Sequence, residues 1–249
     1  MAIGDIIRRD GATAVKSRVA LLLLALVMAI GFASLGRWQL RRAVEKEQRL
    51  SAVAQVLQRR SEIPLAQATA STAGTFAWSG GRGRFLTAPL LLLDNQRRGE
   101  AVGVLAFGVF QPDGGGRALL VDLGWLKVAG DRKLPDVALP PQSMRLSGLL
   151  TPPPSAGIVL GPSYTIVDAH RWLLVRVDLA VLSAALRRPL APRIMRLDPA
   201  LPLGYTRDLD VLPNTLPPER HRAYAVQWFA MAAVILFLAL FLGLRRRPA

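Results

Sequence analysis

The sequence contains no cysteine. That excludes a disulfide scaffold, a cysteine zinc site, an iron–sulfur cluster, a thiol redox motif and a thiolate copper site. Histidine is scarce as well. His170 and His221 are the only two, too few for an all-protein imidazole cage but enough for one axial ligand. Acids are few against bases: 17 Asp and Glu face 32 Lys and Arg, a formal net charge of +15. Only Lys16, Lys46, Lys127 and Lys133 are lysines; the rest are arginines, which suit bidentate contacts with phosphate or carboxylate. Charge alone would suggest nucleic acid or anionic lipid. Yet 51% of the 249 residues are hydrophobic, which argues against a soluble nucleic-acid binder, and no nucleic-acid partner is expected.

The apolar residues concentrate at the two ends. Val19 to Gly36 and Ala223 to Leu244 carry no charge. At 1.5 Å per residue they reach about 27 and 33 Å, close to the hydrocarbon thickness of a bilayer. Both read as transmembrane helices. A cleaved signal peptide is the rival reading of the first, because small residues close its apolar run at Gly31-Phe32-Ala33. The short ends carry Arg8, Arg9, Lys16 and Arg18 on one side and Arg245-Arg246-Arg247 on the other, which places both termini in the cytoplasm. Residues 37–222 then lie on the far side, the periplasm of a bacterium. Their 25 basic and 15 acidic residues do not oppose this, since long loops translocate largely regardless of charge. The expected organisation is a cytoplasmic tail (1–18), span 19–36, a periplasmic domain (37–222), span 223–244 and a tail (245–249).

Within the loop, residues 37–60 continue as a helix with Val44, Leu50, Val53, Val56 and Leu57 on a loose apolar face. Pro64 and a Ser/Thr/Ala/Gly stretch (66–75) end it. Thr75–Trp78 and Phe85–Asp94 are candidate strands, separated by a turn at Ser79-Gly80-Gly81-Arg82-Gly83. Ala101–Gln111 and Arg117–Leu123 flank Pro112-Asp113-Gly114-Gly115-Gly116, a hairpin turn signal. Leu146–Leu150 and Trp172–Val177 are further strands, broken apart at Pro152-Pro153-Pro154. Asp178 is placed to cap a helix over Leu179–Leu186, Pro192–Leu197 is a last strand, and residues 199–218 form an extended connector. The fold class is an integral membrane protein: two transmembrane α-helices flank a mainly antiparallel-β (α+β) extramembrane domain.

Catalytic patterns are missing: there is no Walker A, G-x-S-x-G, H-E-x-x-H or EF-hand loop. Asp168, His170 and Ser163 lie near one another in sequence, which says little about a triad. His221 directly precedes the second span. At 100° per residue, His221, Ala225, Trp228, Ala232 and Ala239 share one face. Small residues admit a neighbouring helix or a flat ligand; an interfacial anchor is the plainer reading of the His and Trp. Ala25, Ala29 and Ala33 form a similar stripe on the first span. Antiparallel packing would gather Trp38, Arg37, Arg41, Arg42, Arg220 and Arg222 around His221 at the outer membrane surface. Haem suits such a place, with imidazole for iron and arginine for propionates, as does a basic belt against lipid headgroups.

Gly36-Arg37-Trp38-Gln39-Leu40-Arg41-Arg42 with Lys46 resembles the G-x-W-Q-x-x-R-x-x-x-K segment of the Surfeit locus protein 1 family. Val121-Asp122-Leu123-Gly124-Trp125-Leu126 is similar to its V-N-R-G-W-V strand, with Leu123 in place of the usual Arg. Arg220-His221-Arg222-Ala223-Tyr224-Ala225-Val226-Gln227-Trp228-Phe229 matches its N-H-x-x-Y-A-x-x-W-F motif, with Arg220 in place of Asn. The resemblance implies a non-enzymatic assembly factor for haem–copper oxidases, in the bacterial inner membrane. It implies transient haem a binding with His221 as the iron-linked histidine, and handover to the oxidase catalytic subunit, with the haem a synthesis machinery as a further partner. Trp228 and Tyr224 would flank the haem pocket, with Trp38 a further haem-binding residue, and Arg37, Arg41, Arg42, Arg220 or Arg222 would neutralise the propionates. The alternatives are a structural chaperone that clamps an oxidase subunit without haem, and a membrane-anchored periplasmic enzyme.

Overall fold

The computed structural model describes residues 3–70, 76–129, 133–154, 161–212 and 215–244, with backbone alone for 3–17 and 244. The charged side chains of the two tails other than Arg18, residues 71–75 and residues 213–214 of the connector lie outside that description. The chain divides into two compact units, Met1–Arg49 with Thr215–Ala249, and Leu50–Asn214.

The first unit is helical. α1 (Ile3–Arg59) is one helix of 57 residues, and its last turns belong to the second unit. Beyond the apolar run it continues on local ion pairs: Glu45 meets Arg41 at 3.8 Å and Arg42 at 2.8 Å, at i,i+4 and i,i+3 spacing. It stops at Arg60, whose φ of +43° and N–H bond to the Val56 carbonyl close the last turn. The last helix (Pro218–Leu244, numbered α4 below) opens on proline, whose missing N–H costs nothing at that position. Each of the two helices holds a segment long and apolar enough to cross a membrane.

The second unit is a mixed β-sheet domain. It contains β1 (Glu62–Pro64), α2 (Leu65–Ala70), β2 (Ala77–Phe85), β3 (Leu90–Arg98), β4 (Ala101–Pro112), β5 (Ala118–Lys127), β6 (Met144–Thr151), β7 (Tyr164–Ile166), β8 (Arg171–Leu174), α3 (Leu179–Ala185) and β9 (Leu190–Leu197). The strand order is β1-β2-β6-β9-β5-β4-β3-β8-β7, and β2 also pairs with β4. The path β2–β6–β9–β5–β4 therefore returns to β2 and closes a five-stranded ring. Closure removes sheet edges from this part of the domain. Six pairings are antiparallel; β1–β2, β3–β8 and β5–β9 are parallel.

Both faces of the central strands are covered, and β5 shows why. Leu119, Val121 and Leu123 join one core with Phe85, Phe110, Leu146 and Met195. The alternating Ala118 and Leu120 join another with Phe107, Val109 and Ile194, under Leu182 of α3. An apolar period of two on both faces is the pattern of a doubly covered strand. Asp178 caps α3 through bonds from the Ala180 and Val181 N–H groups, worth about 1 kcal/mol. A third cluster seats Val53, Val56 and Leu57 of α1 on Trp78 and Leu149, with the Arg60 guanidinium 4.6 Å over the Trp78 ring.

The expected turn at Ser79–Gly83 is corrected: these residues are the middle of β2. Neighbours approach too closely for side chains there. A Cβ on Gly81 would lie 2.8 Å from the Leu65 side chain, and one on Gly83 would overlap the Gln111 carbonyl. Gly83 pairs with Met144 of β6 and Pro112 of β4, so this glycine is where the ring closes. The single strand expected over Phe85–Asp94 is two, because Pro89 cannot continue a ladder and the chain turns before β3. The stretch expected to be irregular after Pro64 begins with the short helix α2. Residues 199–206 of the connector pack on the domain: Leu201, Leu203 and Tyr205 join the first core and Thr206 bridges to Trp125.

Candidate functional site

The site begins with two helices that lie antiparallel. Along α4, Pro218, His221, Ala225 and Ala232 are buried and Trp228 is half-buried, every third or fourth residue. Along α1 the matching face is Ala25, Ala29, Phe32, Ala33, Gly36, Gln39, Ala43 and Lys46. Small side chains on both helices allow close approach. The pairing is read from contacts: Leu22 lies near Gly243, the Phe32 and Trp228 rings stand 5.6 Å apart, and Gly36 faces the Phe229 ring. The small-residue stripe of α4 is thus occupied by α1.

Three polar contacts join the charged ends of the same helices. Lys46 Nζ donates to the Leu216 carbonyl, just before α4. Arg222 pairs with Glu47 at 2.8 Å. His221 Nδ1 and Gln39 Oε1 stand at hydrogen-bond distance, 2.6 Å apart. His221 is only 7% exposed, and its Nε2 is buried without a hydrogen-bond partner among the described residues. Burial, then the charges of Lys46 and Arg42, hold its pKa below the ordinary imidazole value of 6.5. His221 lies outside the uncharged segment, and the lowered pKa favours its neutral form. That is the state in which imidazole ligates a metal.

The other expected site residues fall in three groups. Arg42 is near enough to act on His221 electrostatically but holds Glu45, and Arg222 holds Glu47. Trp228 lies on the His221 face against Phe32. Trp38, Tyr224, Arg37, Arg41 and Arg220 are exposed, Trp38 at 45% and Tyr224 at 40%. The residues in contact with His221 and at the start of α4 are instead Gln39 and Lys46. A helical wheel would have found both, since 36, 39, 43 and 46 share the Gly36 face.

Away from the helices, Asp168 binds the His170 backbone N–H and the Arg171 guanidinium, both at 2.8 Å, so its oxygens serve a tight turn. Asp122 is buried, 3.4 Å from Arg196, which also approaches Asp208. Among the described residues no three His, Asp or Glu side chains gather to hold a metal ion.

In sequence, two membrane-length helices flank a mixed β-sheet domain, and one buried imidazole stands at the head of the second helix. The chain matches the SURF1 family, the Surfeit locus protein 1 family, over residues 26–233, and it belongs to that family. No curated protein matches the chain. Membership implies an assembly-factor role, associated with cytochrome c oxidase biogenesis.

Proposed function

We propose that the protein binds haem a transiently through His221 Nε2 and hands it to the catalytic subunit of a haem–copper oxidase. The observation that supports this is the buried, unpartnered Nε2 of a histidine whose lowered pKa favours the neutral form. A buried polar atom left without a partner is costly, and a lone pair suits an electron-pair acceptor such as haem iron. The donor fits the cargo. The stripe beneath it does not offer an open slot, because α1 fills it. Ligation therefore requires the outer ends of α1 and α4 to part, and their repacking favours release, as handover demands. Exposed Trp38, Tyr224 and Arg220 are then free to meet the macrocycle edge and propionates, with Arg42 and Arg222 exchanging Glu45 and Glu47 for them. The protein lies in the bacterial inner membrane with both termini cytoplasmic and the central domain periplasmic.

The experiment is purification from cells that make haem a, with spectra of wild type and His221→Ala. Wild type should carry a haem a Soret band that falls at least tenfold in the variant. Equal haem in both would remove His221 from the assignment.

A second reading is a chaperone that clamps an oxidase subunit without haem. The covering of His221 and of the small-residue stripe by α1 favours it. Under that reading His221→Ala retains co-purification with the oxidase intermediate and full oxidase activity.

A further inference from the structure

We propose that Gln39 is a positioning residue for His221: its amide oxygen holds the proton on Nδ1 and so fixes the lone pair on Nε2. This deepens the haem reading above and rests on it only for the identity of the ligand. An imidazole in solution exchanges its proton between two nitrogens, and a metal ligand needs one of them bare. The His221 ring is held from the facing helix. Gln39 Oε1 is 2.6 Å from Nδ1, and a carbonyl oxygen has no proton to give, so Nδ1 is the donor. Histidines that ligate metals donate their other ring N–H in this way, and the partner raises ligand basicity.

Two features make Gln39 more than a chance neighbour. Lys46 to the Leu216 carbonyl and Glu47 to Arg222 fasten the start of α4 to α1 on either side of His221 in sequence. They set the rotation of α4 that turns His221 inward. Ala43, fully buried one turn beyond Gln39, keeps bulk off that face of α1. Gln39 is thereby held opposite Nδ1.

The test uses the full chain in nanodiscs with nitrogen-15 in its histidine rings. The two histidines give two sets of ring signals, and His170→Gln assigns them, since His170 is exposed and remote in sequence. At pH 7, wild-type His221 should show a protonated Nδ1 and a bare Nε2. Gln39→Leu should move the proton to Nε2, and Gln39→Glu should return it to Nδ1. A protonated Nε2 in the wild type, or an unchanged tautomer in Gln39→Leu, overturns the proposal. The wild-type measurement needs no variant, so a misfolded mutant does not leave the question open.

Hemin titration, followed at the Soret band, supplies the second arm. Gln39→Leu should weaken binding about 10- to 100-fold, with Gln39→Glu restoring most of it. A tautomer shift without any loss of hemin affinity overturns the positioning role. If wild type and His221→Ala bind hemin equally, the haem reading fails, and the nitrogen spectra still decide the tautomer.

Discussion

Asp122 carries a charge balance that its position in sequence does not announce. Its Oδ1 accepts the Gly124 N–H at 2.9 Å and its Oδ2 faces Arg196 at 3.4 Å. Burial outweighs both partners, so the carboxyl is held above its ordinary value of 3.8. A raised folded-state pKa means that the native chain keeps a proton the unfolded chain has released. This contribution is present at low pH and is lost as pH rises from about 4 through the folded value. Asp122→Asn keeps the Gly124 bond through its amide oxygen and removes the ionisation. Thermal unfolding between about pH 4 and 7 should show wild type losing stability relative to Asp122→Asn as pH rises. Parallel curves would mean that Asp122 titrates alike in both states. Gly124, within the Gly-Trp motif, has φ +111°, and a Cβ there would come within 2.9 Å of the Tyr205 backbone, so the motif's glycine is a backbone requirement.

Elements were legible where one residue pattern decides them. The helices, the Gly114–Gly116 hairpin and the Asp178 cap follow from local chemistry. The Ser79–Gly83 run misled because glycine serves two purposes: it turns a chain, and it admits a close neighbour. Its neighbours here come from Leu65 and Gln111, which no local pattern identifies. The helix pair was legible as two stripes of small residues. What filled the stripes was decided by pairing. Gly36 marks a place where the helices leave no room for a side chain, since a Cβ would sit 2.9 Å from the Phe229 ring. A ring tip can shift for a methyl group but not for a branched side chain. Cysteines introduced at Glu47 and Arg222 should cross-link with a short bismaleimide. Gly36→Ala should leave the yield near that of the parent, and Gly36→Leu should lower it severalfold. Equal yields would show that the helices do not pack at Gly36.

For the whole molecule, the missing cysteines become a tool. The native chain is a blank for thiol labelling, so each introduced cysteine reports its own side of the membrane. Arg187, beyond α3, is exposed, and Lys16 precedes the first span. With the outer membrane opened, a membrane-impermeant maleimide should label Arg187→Cys in intact spheroplasts and reach Lys16→Cys only after lysis. Labelling in the reverse order would invert the proposed topology. The +15 charge fits the same picture. Seven basic residues lie in the tails, and others at the helix ends are balanced by near neighbours, as Arg42 is by Glu45 and Arg222 by Glu47.

By itself the sequence determined the two apolar segments, the β-rich stretch between them, the exclusion of thiol chemistry and the motifs that lead to the SURF1 family. Each depends on composition or on residues within a few turns of one another. Tertiary structure decided the ring closure through Gly83, the Asp122–Arg196 pair and the partners of His221. Those contacts join residues far apart in the chain, and their energies exist only once the chain has folded. The histidine was visible from the start as one of two. That its Nδ1 meets Gln39, while its Nε2 is buried and unpaired, depends on which faces of two helices meet.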